Sequence, residues 1–158
     1  MKAATLNQIR KELETSSPKR VLEIALRLIR FKSENKELIS YLLFDSDDLS
    51  GYIADLKYEL SEMFNQFYLQ SPNQIKRSLR RALKFISRYS KYTQVKETEA
   101  ELLIYFCNLM NEKGLIKYHN KVNTTIYNKQ LDKVEKMLPV LQEELQVDYR
   151  HILTLLRK

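Results

Sequence analysis

The amino-acid sequence predicts an all-α protein, and three observations support this prediction. Glycine and proline account for only 2 and 3 of the 158 residues, too few for the tight turns of a sheet built from hairpins. Leucine, lysine and glutamate, which favour helices, are abundant. Apolar residues recur three and four positions apart nearly everywhere, without a convincing alternating stretch. We therefore expect a single compact bundle of six or seven helices in antiparallel hairpins over residues 1–158, with a superhelical arrangement left open.

Three helices are predicted in the first part of the chain. The first is short and carries its apolar residues on one face: Leu6, Ile9 and Leu13. Ser17 and Pro18 begin the second, because serine is a favoured N-cap and proline is tolerated at the first helical position. This helix extends to about Phe31 and is expected to bury five residues: Val21, Leu22, Ala25, Leu28 and Ile29. The third is short and contains Leu38, Ile39, Leu42 and Leu43.

The middle of the chain predicts three further helices. The acidic turn at residues 45–48 opens the fourth, since carboxylates stabilise the positive end of a helix dipole. Residues 71–74, Ser-Pro-Asn-Gln, form a capping box with proline at the first position of the fifth helix. Gly114 can supply the left-handed residue that ends the sixth helix. The nearly continuous apolar stretch at 102–110 makes this sixth helix the expected centre of the bundle.

The last predicted element covers residues 121–158, after core helices in 1–120. Its apolar residues form a heptad-like seam: Tyr127, Leu131, Val134, Leu138, Leu141, Leu145, Tyr149, Ile152 and Leu156. The seam keeps its phase across Pro139, so we interpret the segment as one long C-terminal helix bent near that proline. The alternative is that the chain breaks at Pro139 and folds back. The seam would pack on its own bundle or on a second copy, which would make a homodimer.

The positive charge is confined to one predicted helix. The chain has 27 Lys+Arg and 20 Asp+Glu, a formal net charge of +7. Residues 76–91 hold seven basic residues and no acid, whereas residues 1–75 carry a net charge of −1 and residues 92–158 of +1. The candidate residues for binding an anionic partner are Lys76, Arg77, Arg80, Arg81, Lys84, Arg88 and Lys91. They lie opposite the apolar face of the helix.

Three kinds of partner could offset the repulsion among these like charges. The first is internal, from acids of the fourth and sixth helices: Asp55, Glu59, Glu62, Glu97, Glu99 and Glu101. The second is nucleic-acid phosphate, and the third is an acidic protein or an anionic membrane surface. A membrane is the weakest choice for this helix because the core needs its apolar face. We expect a helical interaction module that binds an acidic protein through helix 72–92, with sequence-independent nucleic-acid binding as the alternative.

No catalytic or metal-binding constellation is apparent. Cys107 lies in an apolar run, which favours a buried, unreactive thiol over a nucleophile. His119 and His151 are far apart, and neither has a partner at metal-ligand spacing. Tyr89 and Tyr92 lie among basic residues and could stack on bases, although packing in the core or its rim is favoured. We therefore expect a protein that is not an enzyme and takes no metal or cofactor.

The N-terminal sequence lacks the apolar segment of a signal peptide, and the longest apolar run, residues 102–107, is too short to span a bilayer. With one cysteine, these features favour a cytoplasmic protein without a membrane span. A faint repeat relates residues 17–31 to 71–85 at an offset of 54. We favour two amphipathic helices with the same type of cap over a solenoid of helical repeats.

Three strings resemble an uncharacterised family of small bacterial all-helical proteins. They are Ser17-Pro18-Lys19 leading to Arg30-Phe31-Lys32 and Asn35-Lys36-Glu37-Leu38, then Arg77-Ser78-Leu79-Arg80-Arg81, then Glu101-Leu102-Leu103-Ile104-Tyr105-Phe106-Cys107. The resemblance covers most of the chain and implies a compact helical fold in the bacterial cytoplasm. It implies no activity and no site residues. Similarity to helical-repeat scaffolds of the HEAT type is analogy at the level of the fold.

Overall fold

The computed structural model of this chain describes residues 2–67, 71–116 and 121–158. Within these ranges it contains eight α-helices and no β-strand, so the predicted all-α class is confirmed. The helices group into two compact units, unit 1 (Met1–Asp45) and unit 2 (Ser46–Lys158). The single domain over residues 1–158 stays a prediction.

Unit 1 contains three α-helices followed by one turn of π-helix. They are α1 (Leu6–Thr15), α2 (Pro18–Phe31) and α3 (Ser33–Ser40), with the π-helical turn at Tyr41–Asp45. The predicted start of α2 is confirmed: the Ser17 hydroxyl accepts a hydrogen bond from the backbone N–H of Arg20, and Pro18 occupies the first helical position. The Asn35 side-chain amide donates to the Leu28 carbonyl at 2.7 Å, which ties the end of α2 to α3.

The expectation that α2 buries five residues is wrong. Val21, Leu22 and Leu28 are 37%, 59% and 52% exposed, and Ala25 and Ile29 are only half-buried. The apolar residues of α1 are exposed as well: Leu6, Ile9 and Leu13. The physical reason is that helical periodicity shows which side chains share a face, whereas their burial depends on another element that covers this face.

Unit 2 is a helical bundle with a well-packed core. Its helices are α4 (Leu49–Asn65), α5 (Pro72–Thr93), α6 (Lys96–Glu112), α7 (Lys121–Met137) and α8 (Glu143–Leu156). Helix α6 packs against the other four, and three of its residues, Leu102, Phe106 and Met110, have no solvent exposure. Helix α6 is therefore the central helix of unit 2. The Lys57 ammonium donates to the Glu101 carboxylate at 2.6 Å, which joins the surface of α4 to α6.

Local capping determines where α5 begins and α6 ends. The capping box predicted at Ser71 and Gln74 is present, so the boundary is confirmed. Gly114 adopts a φ of 63°, as predicted for the residue that ends α6. Its N–H donates to the Asn111 carbonyl, and the N–H of Leu115 donates to the Met110 carbonyl, each at 2.9 Å. These two bonds form a Schellman motif, which satisfies carbonyls at the end of α6.

The prediction of one long, bent C-terminal helix is wrong, and the alternative break at Pro139 describes the structure. Helix α7 ends at Met137, and one turn of 3₁₀-helix at Leu138–Val140 precedes α8. Proline has no N–H to donate, and its ring crowds the preceding turn, so the α-helix stops there. The chain then folds back, since the Tyr127 hydroxyl donates to the Leu156 carbonyl at 2.7 Å. With this break, the described ranges contain eight α-helices, whereas six or seven were expected.

The C-terminal seam packs inside unit 2. Six of its nine residues are buried: Tyr127, Leu131, Val134, Leu138, Leu141 and Tyr149.

 A further buried side chain, Leu153, lies beside the seam residue Ile152 on α8. The remaining seam residues, Leu145, Ile152 and Leu156, are half-buried. Because the seam residues pack within unit 2, a homodimer through this seam would require part of the bundle to open. The homodimer stays a prediction.

Candidate anionic-partner surface on helix α5

Helix α5 separates an apolar face from a charged face. Its 22 residues make a rod about 33 Å long. Leu79, Ala82 and Ile86 have no solvent exposure, so one face of the helix belongs to the core of unit 2. The seven predicted site residues lie on the remaining surface, which we call the basic surface: Lys76, Arg77, Arg80, Arg81, Lys84, Arg88 and Lys91.

The structure brings the seven predicted residues together on one helix and leaves most of them in solvent. Five are exposed: Arg77, Arg80, Arg81, Lys84 and Lys91. Lys76 and Arg88 are half-buried at the edges of the surface. Spacings of three and four place several of these cations side by side along the helix, where like charges repel by a few tenths of a kcal/mol per pair. An anion bound along the surface would relieve this repulsion.

The acids that could have neutralised this surface from α6 have other partners. The Glu101 carboxylate accepts from the Lys57 ammonium, and the Glu99 carboxylate accepts from the Lys133 ammonium, each at 2.6 Å. Both cations come from neighbouring helices, α4 and α7. The two ion pairs therefore join helices of unit 2, and neither of these carboxylates pairs with a cation of α5.

The other candidate acids do not pair with the basic surface either. Among the residues that the structure describes, none of the following forms an ion pair with it: Asp55, Glu59, Glu62 and Glu97. Arg88 is held by hydrogen bonding, since its Nε donates to the Tyr92 hydroxyl at 3.4 Å. In the described ranges, the other six cations have no ion pair or hydrogen bond through their side chains. The internal salt-bridge network that the sequence allowed is therefore not formed.

The aromatic residues beside the basic surface pack on one another. The ring of Tyr89 lies 4.6 Å from that of Phe85 and 5.5 Å from that of Tyr92, measured between centroids. The Tyr89 carbonyl also accepts a hydrogen bond from the Tyr52 hydroxyl of α4 at 3.4 Å. Packing at the rim of the core was the favoured interpretation of these tyrosines, and the ring contacts agree with it.

Two of the residues considered for catalysis lie in the described part of the chain, and they have opposite environments. Cys107 has no solvent exposure, and burial raises the pKa of its thiol to about 12. His119 lies outside the described residues, whereas His151 is exposed on α8. In the described part of the chain, no group of three or more His, Cys, Asp or Glu side chains is arranged to hold a metal ion. The expectation that the protein is not an enzyme stays a prediction.

Sequence reasoning missed the apolar surface of unit 1. Leu22 and Phe31 on α2 are 59% and 77% exposed, and Phe44 in the π-helical turn is 80% exposed. The signal was present in the sequence: apolar residues occupy more of the circumference of α2 than one neighbouring helix can cover. This surface is a second place where the chain could meet a partner.

Together, the fold and the basic surface define an all-α protein with a candidate site for an anionic macromolecule. Comparison with protein-family models, with curated proteins and with solved structures found no match to this chain. The resemblance to small bacterial helical proteins therefore stays a prediction. Within the described ranges, no helix combines the length and apolar character needed to cross a membrane.

Proposed function

We propose that the protein is a non-enzymatic helical interaction module that binds an acidic protein partner through the basic surface of α5. One observation supports this proposal above the others. Six cations of the surface have no partner in the described part of the chain, while nearby acids are engaged elsewhere. A partner that supplies carboxylates would gain charge-assisted hydrogen bonds and relieve the repulsion along the helix.

The composition of the surface suits carboxylate recognition. Four of its seven residues are arginine: Arg77, Arg80, Arg81 and Arg88. A guanidinium group can donate two parallel hydrogen bonds to one carboxylate, which adds geometric specificity to the charge attraction. Because the surface lies on a helix whose opposite face is buried, the arginines are presented on a supported backbone. An acidic segment of a partner protein could align with them without a change in the fold.

Nucleic-acid binding through phosphates is the alternative function. Proteins that bind single strands combine cations with aromatic rings on which bases stack. The ring of Tyr89 contacts those of Phe85 and Tyr92, so Tyr89 and Tyr92 would have to leave these neighbours before they could stack on bases. This favours an acidic protein over a single strand. Binding of duplex DNA through phosphates alone needs no such rings and is tested in the same experiment.

The experiment compares three fluorescent probes by anisotropy: a poly-glutamate peptide, a single-stranded oligonucleotide and a DNA duplex. The test variant is Arg77→Glu/Arg81→Glu/Lys84→Glu. The matched control, Lys129→Glu/Lys136→Glu/Arg150→Glu, also reverses three charges, so both variants change the net charge equally. The control residues are exposed on α7 and α8 of the same unit.

We expect poly-glutamate to bind the wild type and the control, and the test variant to bind about tenfold more weakly or worse. Each lost pair is worth roughly 0.2–1 kcal/mol, and reversal adds repulsion. The nucleic-acid alternative is correct if the duplex binds more tightly than poly-glutamate and its log affinity falls with log salt concentration with a slope of about −4. This is the slope expected for four or five phosphate contacts. Equal loss in the control variant would contradict both functions, because the effect would then follow net charge alone.

The proposal includes three finer predictions. We infer that the protein acts in the cytoplasm, that its helices form antiparallel hairpins, and that dimerisation through the C-terminal seam is optional for binding. Light scattering at high concentration tests the last point. A monomer that still binds poly-glutamate would show that the basic surface acts without a second copy.

A further inference from the structure

We propose that α2 is a docking site for an anionic phospholipid surface, on which the helix lies with its apolar side chains inserted and its cations at the headgroups. The proposal concerns unit 1 and uses no residue of the basic surface on α5, so it is independent of the proposed function. A helix that lies in the interface is distinct from a membrane-spanning helix, and the two have different sequence requirements.

The charged and apolar side chains of α2 occupy separate arcs. At 100° per residue, the five charged residues fall within an arc of about 100°, and the apolar residues fill an arc of about 220°. A stripe of about 100° is enough for a helix that faces one core. The wider apolar arc and the predominantly basic polar face are the pattern of helices that lie in a lipid interface.

Much of the apolar arc is uncovered. Leu28 and Phe31 are 52% and 77% exposed, and Tyr41 is the one residue with a buried side chain among those described in unit 1. In the related sequence of α5, Leu79 and Ala82 have no exposure because the core of unit 2 covers them. A membrane role is disfavoured for α5 because the core needs the apolar face of that helix. The same argument does not apply to α2.

The charge of α2 is complementary to an anionic surface. Its one acid, Glu23, pairs with Arg20 at 3.4 Å. Lys19, Arg27 and Arg30 have no ion pair in the parts of the chain that the structure describes. Three positive charges therefore remain beside the apolar arc. Long basic side chains can reach the headgroup layer while their stems lie along apolar surface, and each adds attraction to an anionic leaflet.

A concave surface on α2 combines the same two kinds of side chain. Its volume is about 830 Å³, and its lining includes Leu28 and Phe31 together with Arg27 and Arg30. Glu23 also lines it, and its carboxylate pairs with Arg20. An apolar wall next to guanidinium groups matches an amphiphile with an anionic head and a hydrocarbon tail. A wholly apolar partner would leave these guanidinium groups without counter-charge, which is unfavourable when they lose solvent.

A second copy of this helix is a poorer occupant of the surface. Lys19 lies near the start of α2 and Arg30 near its end. Antiparallel pairing of two copies would bring Lys19 towards Arg30 of the second copy, and parallel pairing would bring each cation towards its equivalent. Both arrangements place like charges together across the contact, which disfavours association. An anionic lipid surface has the opposite sign along the whole helix.

The experiment is flotation of the full chain with vesicles of phosphatidylglycerol and phosphatidylcholine, compared with phosphatidylcholine alone. We expect binding to the anionic vesicles only. The variant Leu28→Gln/Phe31→Gln keeps helix propensity while removing apolar area, and it should no longer float. The variant Lys19→Gln/Arg27→Gln/Arg30→Gln should bind about 100-fold more weakly, since each cation near such a surface contributes about 1 kcal/mol.

Two control variants match these changes on unit 2. Val147→Gln/Leu155→Gln removes exposed apolar residues of α8 and should float like the wild type. Arg77→Gln/Arg81→Gln/Lys84→Gln removes three charges from α5 and should retain vesicle binding even if it no longer binds poly-glutamate. If this α5 variant loses flotation as severely as the α2 charge variant, adsorption follows net charge and the proposal is wrong. Circular dichroism verifies that each variant remains helical.

A tryptophan reporter tests insertion directly, because the chain contains no tryptophan. Phe31→Trp should shift its emission to the blue when anionic vesicles are added, whereas Val147→Trp should not. Binding without a shift at Phe31→Trp would overturn the proposal. An absence of vesicle binding would also overturn the proposal. This holds for a monomeric chain and for a dimer that the variant Leu28→Gln/Phe31→Gln dissociates. The dimer outcome would identify a second copy as the occupant.

Discussion

Cys107 is a natural probe of the core of unit 2. It is the one cysteine of the chain, it lies on α6, and its side chain has no solvent exposure. Burial raises the pKa of the thiol to about 12, so the thiolate is scarce in the folded protein at pH 8. Thiol reagents attack the thiolate, and both inaccessibility and the raised pKa oppose their reaction.

We predict that Cys107 does not react with a thiol-specific disulfide reagent in the folded protein. With increasing urea, the labelling rate should rise in step with the loss of helical circular dichroism, because unfolding of unit 2 exposes the thiol and returns its pKa to the ordinary range. Absorbance of the released thiolate measures the rate. Fast labelling without denaturant would contradict the prediction and would make the thiol a candidate nucleophile.

The start of α4 offers a second residue-scale test. The Asp48 carboxylate accepts a hydrogen bond from the Gly51 N–H at 2.9 Å, and a Cβ at Gly51 would collide with this carboxylate. Gly51→Ala should gain about 1 kcal/mol of helix propensity and lose about 1 kcal/mol of capping, a net change near zero. In the Asp48→Ala background the cap is already absent, so Gly51→Ala should stabilise by about 1 kcal/mol. Urea unfolding of the four proteins measures both effects, and equal effects in the two backgrounds would contradict the collision.

At the scale of elements, the sequence predicted the residues that cap the helices. The caps at Ser17, Ser71 and Gly114 depend on residues within a few positions of each other, and the structure has all three. The break at Pro139 was only an alternative, because the seam keeps its spacing whether the helix continues or folds back. Contacts distant in sequence accompany the fold-back, such as the two hydrogen bonds from Arg157 to the carboxylates of Asp132 and Glu135.

Two tyrosines of the α7–α8 hairpin should lower the stability of the folded protein at alkaline pH. Burial raises the pKa of Tyr127 and of Tyr149 to about 12 from the ordinary value of 10. The folded state thus favours the neutral phenol, and its contribution to stability is complete below pH 10 and is lost as the pH rises through about 12. We predict that the urea midpoint of the wild type falls above pH 10 and that the Tyr127→Phe/Tyr149→Phe variant shows a smaller fall. A parallel fall in both proteins would contradict this.

At the scale of the whole molecule, charge position was predictable but charge pairing was not. Counting along the sequence located the excess positive charge on one helix. Whether that charge is neutralised depends on which cations reach Glu99 and Glu101, and these turned out to be Lys133 and Lys57 from two other helices. The sequence spacing of α5 carries no information about such competition. For the same reason, the periodicity of α2 could not show that its apolar side chains lack cover.

The two units should differ sharply in local stability, because protection against hydrogen exchange reflects buried apolar contacts. In unit 2, α6 has a continuous set of buried residues, whereas α1, α2 and α3 contain none. We predict that mass spectrometry of the full chain finds fast amide exchange over α1 to α3 and slow exchange over α6. Anionic vesicles should then slow exchange in α2 and leave α5 unchanged. If α2 is already as protected as α6 in water, its apolar arc has an internal cover, and lipid docking loses its structural basis.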